Sequence, residues 1–243
     1  MKKLTKVACA AAVFGAGAAS AGVMPDDAAV VIDTFDGALQ TTAAFGGASS
    51  VSAAAPEALG GFRDLTAVTG AGGIATAAVN SSGFGLLQAG SLNSASNIYV
   101  TWDGASVVGN NPANVNTLGL GGIDLGVKGL FLDPVVAGEF PGINPSITGT
   151  RSAEFTIWDT LGGVSTASQL LSSPNFGYFQ FDSFTGNADF SSAGAIQLRL
   201  FDTAATGWSS QFEFATAVPV PAPLALMGAG LIGIGFMRRK LAG

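Results

Sequence analysis

The chain contains no histidine, and its single cysteine is Cys9, close to the N-terminus. That removes Ser-His-Asp and Cys-His nucleophiles and the common zinc ligand sets. Carboxylate chemistry is what remains. A glycoside hydrolase needs two acids at a defined separation around the sugar, and Asp103, Asp124, Glu139, Glu154 and Asp159 are the available acids. No spacing marks a pair among them, and Glu154 falls on the strand face opposite Phe155, which reads as solvent-facing. The chain therefore reads as a non-enzyme. Sugar binding asks for less: aromatic rings against the apolar faces of sugars, with amides and carboxylates around them. Trp102, Trp158, Trp208, Tyr99 and Tyr178 could supply rings, and Asn97, Asn175 and Gln180 polar contacts. Trp102 is in phase with Ile98 and Val100 and reads as core. Tyr99 and Tyr178 point away from their apolar neighbours, which makes them the candidate glycan contacts.

Strands must position these residues. In AIQLRL (195–200) the residues Ile196, Leu198 and Leu200 share one face, with Gln197 and Arg199 on the other. QFEF (211–214) repeats the pattern with Phe212 and Phe214 inward. NIYVTWDG (97–104), SAEFTIWD (152–159), NFGYFQFD (175–182) and VVIDTF (30–35) are further strands, and IDLGVKGLFLD (123–133) is one or two interrupted by glycine. Ala38 to Pro56 is rich in Ala, Ser and Gly and reads as a loose loop or a weak edge strand. Period-2 alternation between Gly, Asn, Asp and Ser turns, without helical periodicity, predicts an all-β antiparallel sandwich. Asn80-Ser81-Ser82 matches a glycosylation sequon but carries little weight beside the bacterial-looking export signals.

The ends set the destination. Lys2, Lys3 and Lys6 precede the uncharged VACAAAVFGAGA, and Ala19-Ser20-Ala21 gives the small-x-small pattern of signal-peptidase cleavage before Gly22. This predicts a secretory signal over 1–21; the apolar run is too short for a permanent span of about 20 residues. A lipoprotein reading of Cys9 fails because Lys6 leaves almost no apolar stretch before it. Residues 22–217 form one domain with four basic residues, Arg63, Lys128, Arg151 and Arg199, against sixteen acidic ones, a net charge of −12. Such a body is repelled by phosphate backbones, so nucleic acid is not a partner. From Pro219 to Met237 no side chain is charged. Prolines 219, 221 and 223 delay helix formation, which predicts a transmembrane helix over 224–237, with Arg238, Arg239 and Lys240 as a cytoplasmic stop. Gly228, Gly230 and Gly233 have GxGxxG spacing but lack the βαβ unit that a dinucleotide site requires.

The motif Val218-Pro219-Val220-Pro221-Ala222, a short apolar helix and a terminal basic cluster together resemble the PEP-CTERM sorting signals, most closely the VPLPA variant. Val220 stands where that variant has Leu. The resemblance covers 218–243 and implies export by a Gram-negative bacterium, brief residence in the inner membrane, and processing by an exosortase-type membrane protease after signal peptidase has acted. An extended proline strip suits a protease groove; a permanent anchor with a proline spacer is the competing reading. The body is similar to jelly-roll domains found with such tails and, more loosely, to galactose-binding-like modules, through VIDTFDG (31–37), GGFRDL (60–65) and FDSFTGNADFSSAGAIQLRL (181–200). That likeness implies a calcium site at Asp33 and Asp36 with Asp202 as partner, although three scattered aspartates fall short of the six to eight oxygens calcium takes; solvated turns are the competing reading, and no other cofactor is implied. The expectation is an exported cell-surface or extracellular-matrix protein associated with exopolysaccharide or biofilm, the alternative a carbohydrate-binding module.

Overall fold

The structure, a computed structural model, describes residues 30–80, 83, 85–92, 94–105, 109–126, 128–135, 151–171, 177–202 and 208–218. It is all-β, and two seven-stranded antiparallel sheets enclose a shared core. The first sheet runs β11 (Tyr178–Gln180), β8 (Gly129–Pro134), β14 (Trp208–Val218), β6 (Leu87–Leu92), β5 (Ile74–Val79) and β2 (Gln40–Phe45), with β1 (Val30–Asp33) also paired to β14. The second runs β12 (Thr185–Gly186), β10 (Val164–Leu170), β9 (Ser152–Asp159), β13 (Ala193–Asp202), β7 (Ser96–Trp102), β4 (Phe62–Thr69) and β3 (Ala48–Ala54).

Alternation places the core. Ala153, Phe155 and Ile157 of β9, Ile196, Leu198 and Leu200 of β13, and Ile98, Val100 and Trp102 of β7 are all buried. The facing positions on the first sheet are Ala75, Ala77 and Val79, then Leu87 and Ala89, Leu130 and Leu132, and Ala215 and Ala217. One side of the core is thus built largely from alanine. Alanine is depleted in strands because it offers little to pack on a pleated surface; here Ala75, Ala77, Ala215 and Ala217 are nonetheless buried in the core.

The structure departs from the sequence reading in several segments. The segment read as a loose loop, 38–56, is two strands, β2 and β3, at the edges of opposite sheets, so its edge character holds and its looseness does not. Among the described residues of the strand expected over 175–182, Tyr178 to Gln180 are paired, and a 3-10 segment, Phe181–Ser183, follows. In 123–133, Ile123 makes an isolated bridge to Ala193, and the strand begins at Gly129. Phe212 is buried as expected. The register shifts between Phe212 and Ala215, which moves the inward positions to Ala215 and Ala217; the Phe214 side chain lies outside the described set.

Cross-sheet contacts define the two ends of the sandwich. At the far end, Trp208 Nε1 donates to Ser96 Oγ at 3.1 Å, joining the starts of β14 and β7. At the near end Val30 pairs with Ala217, so the first and last described strands lie side by side. A saturated polar network closes this end. Asp33 accepts from Arg63 Nη1 at 2.7 and 2.8 Å, from Trp102 Nε1 at 2.8 Å and from the Phe35 amide at 2.8 Å. Arg63 Nε donates to Gln40 Oε1 at 2.9 Å, and Nη2 to Glu57 at 3.2 Å. Phe35 is held at φ 56, in the left-handed region that a bulky residue rarely adopts. The network ties β1 and β2 of one sheet to β4 and β7 of the other. It also joins VIDTFDG to GGFRDL, the two early pieces singled out in the sequence.

Candidate functional site

The outer face of the second sheet carries a row of polar and aromatic side chains joined by hydrogen bonds. Antiparallel register aligns Ser168, Glu154, Arg199, Tyr99 and Thr66 in one row across β10, β9, β13, β7 and β4. These positions point outward because their strand neighbours Phe155, Leu198 and Val100 point into the core. Arg199 is fixed three ways: Nη1 to Glu154 Oε1 at 3.3 Å, Nε to Asn97 Oδ1 at 2.8 Å, and its guanidinium 4.2 Å from the Phe201 ring centroid. Burial pushes the Tyr99 phenol above its usual 10.0, with Arg199 pulling it down and Glu154 pushing it up. Tyr99 therefore stays a neutral hydroxyl at ordinary pH, beside a cation whose charge Glu154 offsets.

A loop borders this row. Thr66 Oγ1 donates to Gly109 O at 3.3 Å and Gln197 Nε2 to Pro112 O at 2.9 Å, which lays the segment GNNPANVN (109–116) over the adjacent outer positions. Its base is stitched by the buried Asp103, which accepts from the Asn116 amide at 2.7 Å. A Cβ on Gly119 would lie 1.6 Å from Asp103 O, so the closure requires glycine there. Asn110, Asn111, Asn114 and Asn116 are exposed along the loop. The result is a shelf: a floor of Tyr99, Arg199, Glu154 and Asn97, with an amide-rich border. Its chemistry suits a hydroxyl-rich ligand with one apolar face.

The other candidates from the sequence fall elsewhere. Tyr178 lies on the outer face of the first sheet, paired with Phe131, on the opposite side of the sandwich from Tyr99, and burial raises its phenol, with Asp182 adding to the effect. The two tyrosines do not share a surface. Trp102 and Trp208 are buried and Trp158 is half-buried on the outer face of the second sheet. Gln180 is exposed at the end of β11, while Asn175 and Glu139 lie outside the described residues. Asp33, Asp36 and Asp202 are not brought together. Asp33 is filled by protein donors, Asp36 is exposed, and Asp202 pairs with Ser96 at the far end of β7, roughly 20 Å along the strand from Trp102. Among the described residues no group of three or more acids is placed to hold a metal ion.

The described carboxylates among those weighed for catalysis, Asp103, Asp124, Glu154 and Asp159, each make hydrogen bonds within the fold. Glu154 pairs with Arg199, and Asp124 accepts from the Gly126 amide at 2.8 Å. Asp159 closes the β9–β10 turn and is held below its usual 3.8 by the amides of Asp189, Gly163 and Leu161. A depressed carboxyl stabilises the fold above pH 3.8 and loses that contribution as pH falls through its folded value. Thermal melts between about pH 2 and 5 are therefore expected to decline in the wild type and to decline less steeply in Asp159→Ala.

The expected cleavage residues Ala19, Ala21 and Gly22 and the tail from Pro219 through Arg238, Arg239 and Lys240 lie outside the described residues; Val218 is the last strand position, paired with Gly129. Among the described residues no helix is long and apolar enough to cross a membrane. The fold and shelf together define an antiparallel β-sandwich protein with an ordered outer face. No protein-family model matches the chain, and no curated protein matches it.

Proposed function

We propose that this is an exported cell-envelope or matrix protein whose sandwich binds polysaccharide through the shelf around Tyr99. The observation that carries the reading is the Glu154–Arg199–Tyr99 row, in which hydrogen bonds and the Phe201 ring fix Arg199 before any ligand arrives. Pre-fixed side chains lose little conformational freedom on binding. Charge pairing within the row favours a neutral glycan over a polyanion, as does the acidic body. No step in this role requires catalysis. Within the sandwich class, a jelly-roll or galactose-binding-like arrangement belongs to the same proposal, and calcium enters only as a variable of the assay.

The termini supply the delivery half of the proposal. The signal over 1–21 directs export, and the motif 218–222 with its helix and basic stop holds the chain in the inner membrane until an exosortase-type protease cuts it. Val30 pairs with Ala217, so the first and last described strands lie side by side at one end of the sandwich. The test is affinity electrophoresis of the full-length protein in gels containing neutral or acidic polysaccharides, with and without calcium. Retardation by a neutral polysaccharide is expected; unchanged mobility in every gel would remove the binding role.

A further inference from the structure

β2 and β3, joined through Gly46-Gly47, are the last strands of the first and second sheets. Among the described residues β2 is bonded on one side only, to β5. An edge strand offers its unpaired amides and carbonyls to another chain, and proteins protect such edges with charge, proline, a bulge or shortness. β2 carries none of these: QTTAAF is uncharged, lacks proline and pairs with β5 over all six residues without a register shift. The other edges among the described strands are protected. β1, β11 and β12 have four residues or fewer. β3 is met by side chains of β2 itself, as Gln40 Nε2 donates to Val51 O at 3.2 Å and Thr42 Oγ1 to Ser49 Oγ at 3.1 Å.

The open edge of β2 is complementary to itself. The Gly46 amide donates to Gly73 O at 3.1 Å, so in the alternating ladder Gln40, Thr42 and Ala44 turn their backbone groups to β5. Thr41, Ala43 and Phe45 turn theirs to the open edge. An antiparallel second copy of β2 centred on Thr42 sets Thr41 opposite the other Ala43 and Leu39 opposite the other Phe45, so open-edge groups meet open-edge groups. Leu39 and Phe45, the apolar ends of this row, are 64% and 74% exposed. Phe45 also ends an outer-face strip, Phe45–Ile74–Leu92, across three strands. Leu39 of the second copy extends that strip over the junction and covers Phe45. Charge favours the same occupant. Copies of so acidic a body repel each other, yet β2, β5 and β6 contain no ionisable side chain.

We propose that β2 pairs antiparallel with β2 of a second copy of this chain, joining two first sheets into one across a two-fold axis at Thr42. The Tyr99 shelf lies on the second sheet and takes no part. The test is sedimentation equilibrium of the full-length protein and of variants with the same termini, so that association through either terminus is common to all. A concentration-dependent dimer is expected for the wild type. Ala43→Lys sets two cations beside the axis and should weaken the dimer about tenfold or more. Ala43→Pro removes an amide from the open edge and none from the β5 ladder, and should do the same. Ser168→Lys, exposed on β10, should dimerise as the wild type does. In the paired register the two copies of residue 43 are diagonal neighbours about 7–8 Å apart. A short thiol cross-linker should therefore join Ala43→Cys copies, but not Ser168→Cys copies, above the level given by Cys9 in the wild type. A wild type that stays monomeric, Ala43→Lys dimers as tight as the wild type's, or no added cross-link at residue 43 would overturn the proposal while leaving the Tyr99 reading intact.

Discussion

Replacing Arg63 with alanine is expected to destabilise the sandwich by about 3–5 kcal/mol, because it leaves Asp33 buried without its counter-charge. The substitution also removes the donors to Gln40 and Glu57, so contacts linking the two sheets fail together. For a domain of this size the melting midpoint should fall by roughly 10 °C. The pH dependence gives a second readout. Burial is the largest influence on Asp33 and raises its carboxyl above 3.8, while Arg63 and Trp102 pull it down. Without Arg63 it rises further. A raised folded value means stability that is present below the unfolded value and lost as pH climbs, so the deficit of Arg63→Ala should be larger at neutral pH than near pH 4. Asp33→Ala combined with Arg63→Ala should cost less than the sum of the two single changes, with a coupling of about 1 kcal/mol or more. Additive losses in chemical denaturation would show that the ion pair does not organise the near end.

The largest effect on function is expected at Tyr99. Tyr99→Ala should weaken retention in a polysaccharide gel by about tenfold or more, roughly 1.4 kcal/mol of binding free energy. Its effect on folding should be small, since the side chain is only half-buried and its cross-strand neighbours are Arg199 and Thr66. Tyr99→Phe keeps the ring and should keep most of the retention if stacking dominates. Arg199→Ala frees Phe201, Asn97 and Glu154 at once and should also weaken binding, by loosening the shelf. Tyr178→Ala, on the opposite face, is the matched control and should bind as the wild type does. Equal retention of the Tyr99→Ala and wild-type proteins would exclude the shelf as the contact surface.

The strands that the sequence announced are those whose inward residues are large. Ile98, Val100 and Trp102, or Ile196, Leu198 and Leu200, alternate against polar neighbours and are read directly. β5 and β6 place Ala75, Ala77 and Ala89 inward, and alanine beside threonine, glycine and serine leaves no contrast to read. Sequence placed Tyr99 outward but could not supply its neighbours, because Arg199 and Glu154 reach it only through the register of three strands. The asparagines of 109–116 carried no periodic signal, and their place beside the row depends on hydrogen bonds from Thr66 and Gln197. The link between Asp33 and Arg63 was equally hidden: each lay in a noted motif, but only the packing of the sheets joins them.

The proposed delivery of this sandwich to the cell exterior is tested most directly by the mass of the mature protein recovered from the cell surface or medium. The account predicts a chain that begins at Gly22 and ends within 218–222. A mature chain that keeps Arg238, Arg239 and Lys240 would contradict it and leave a permanently anchored protein.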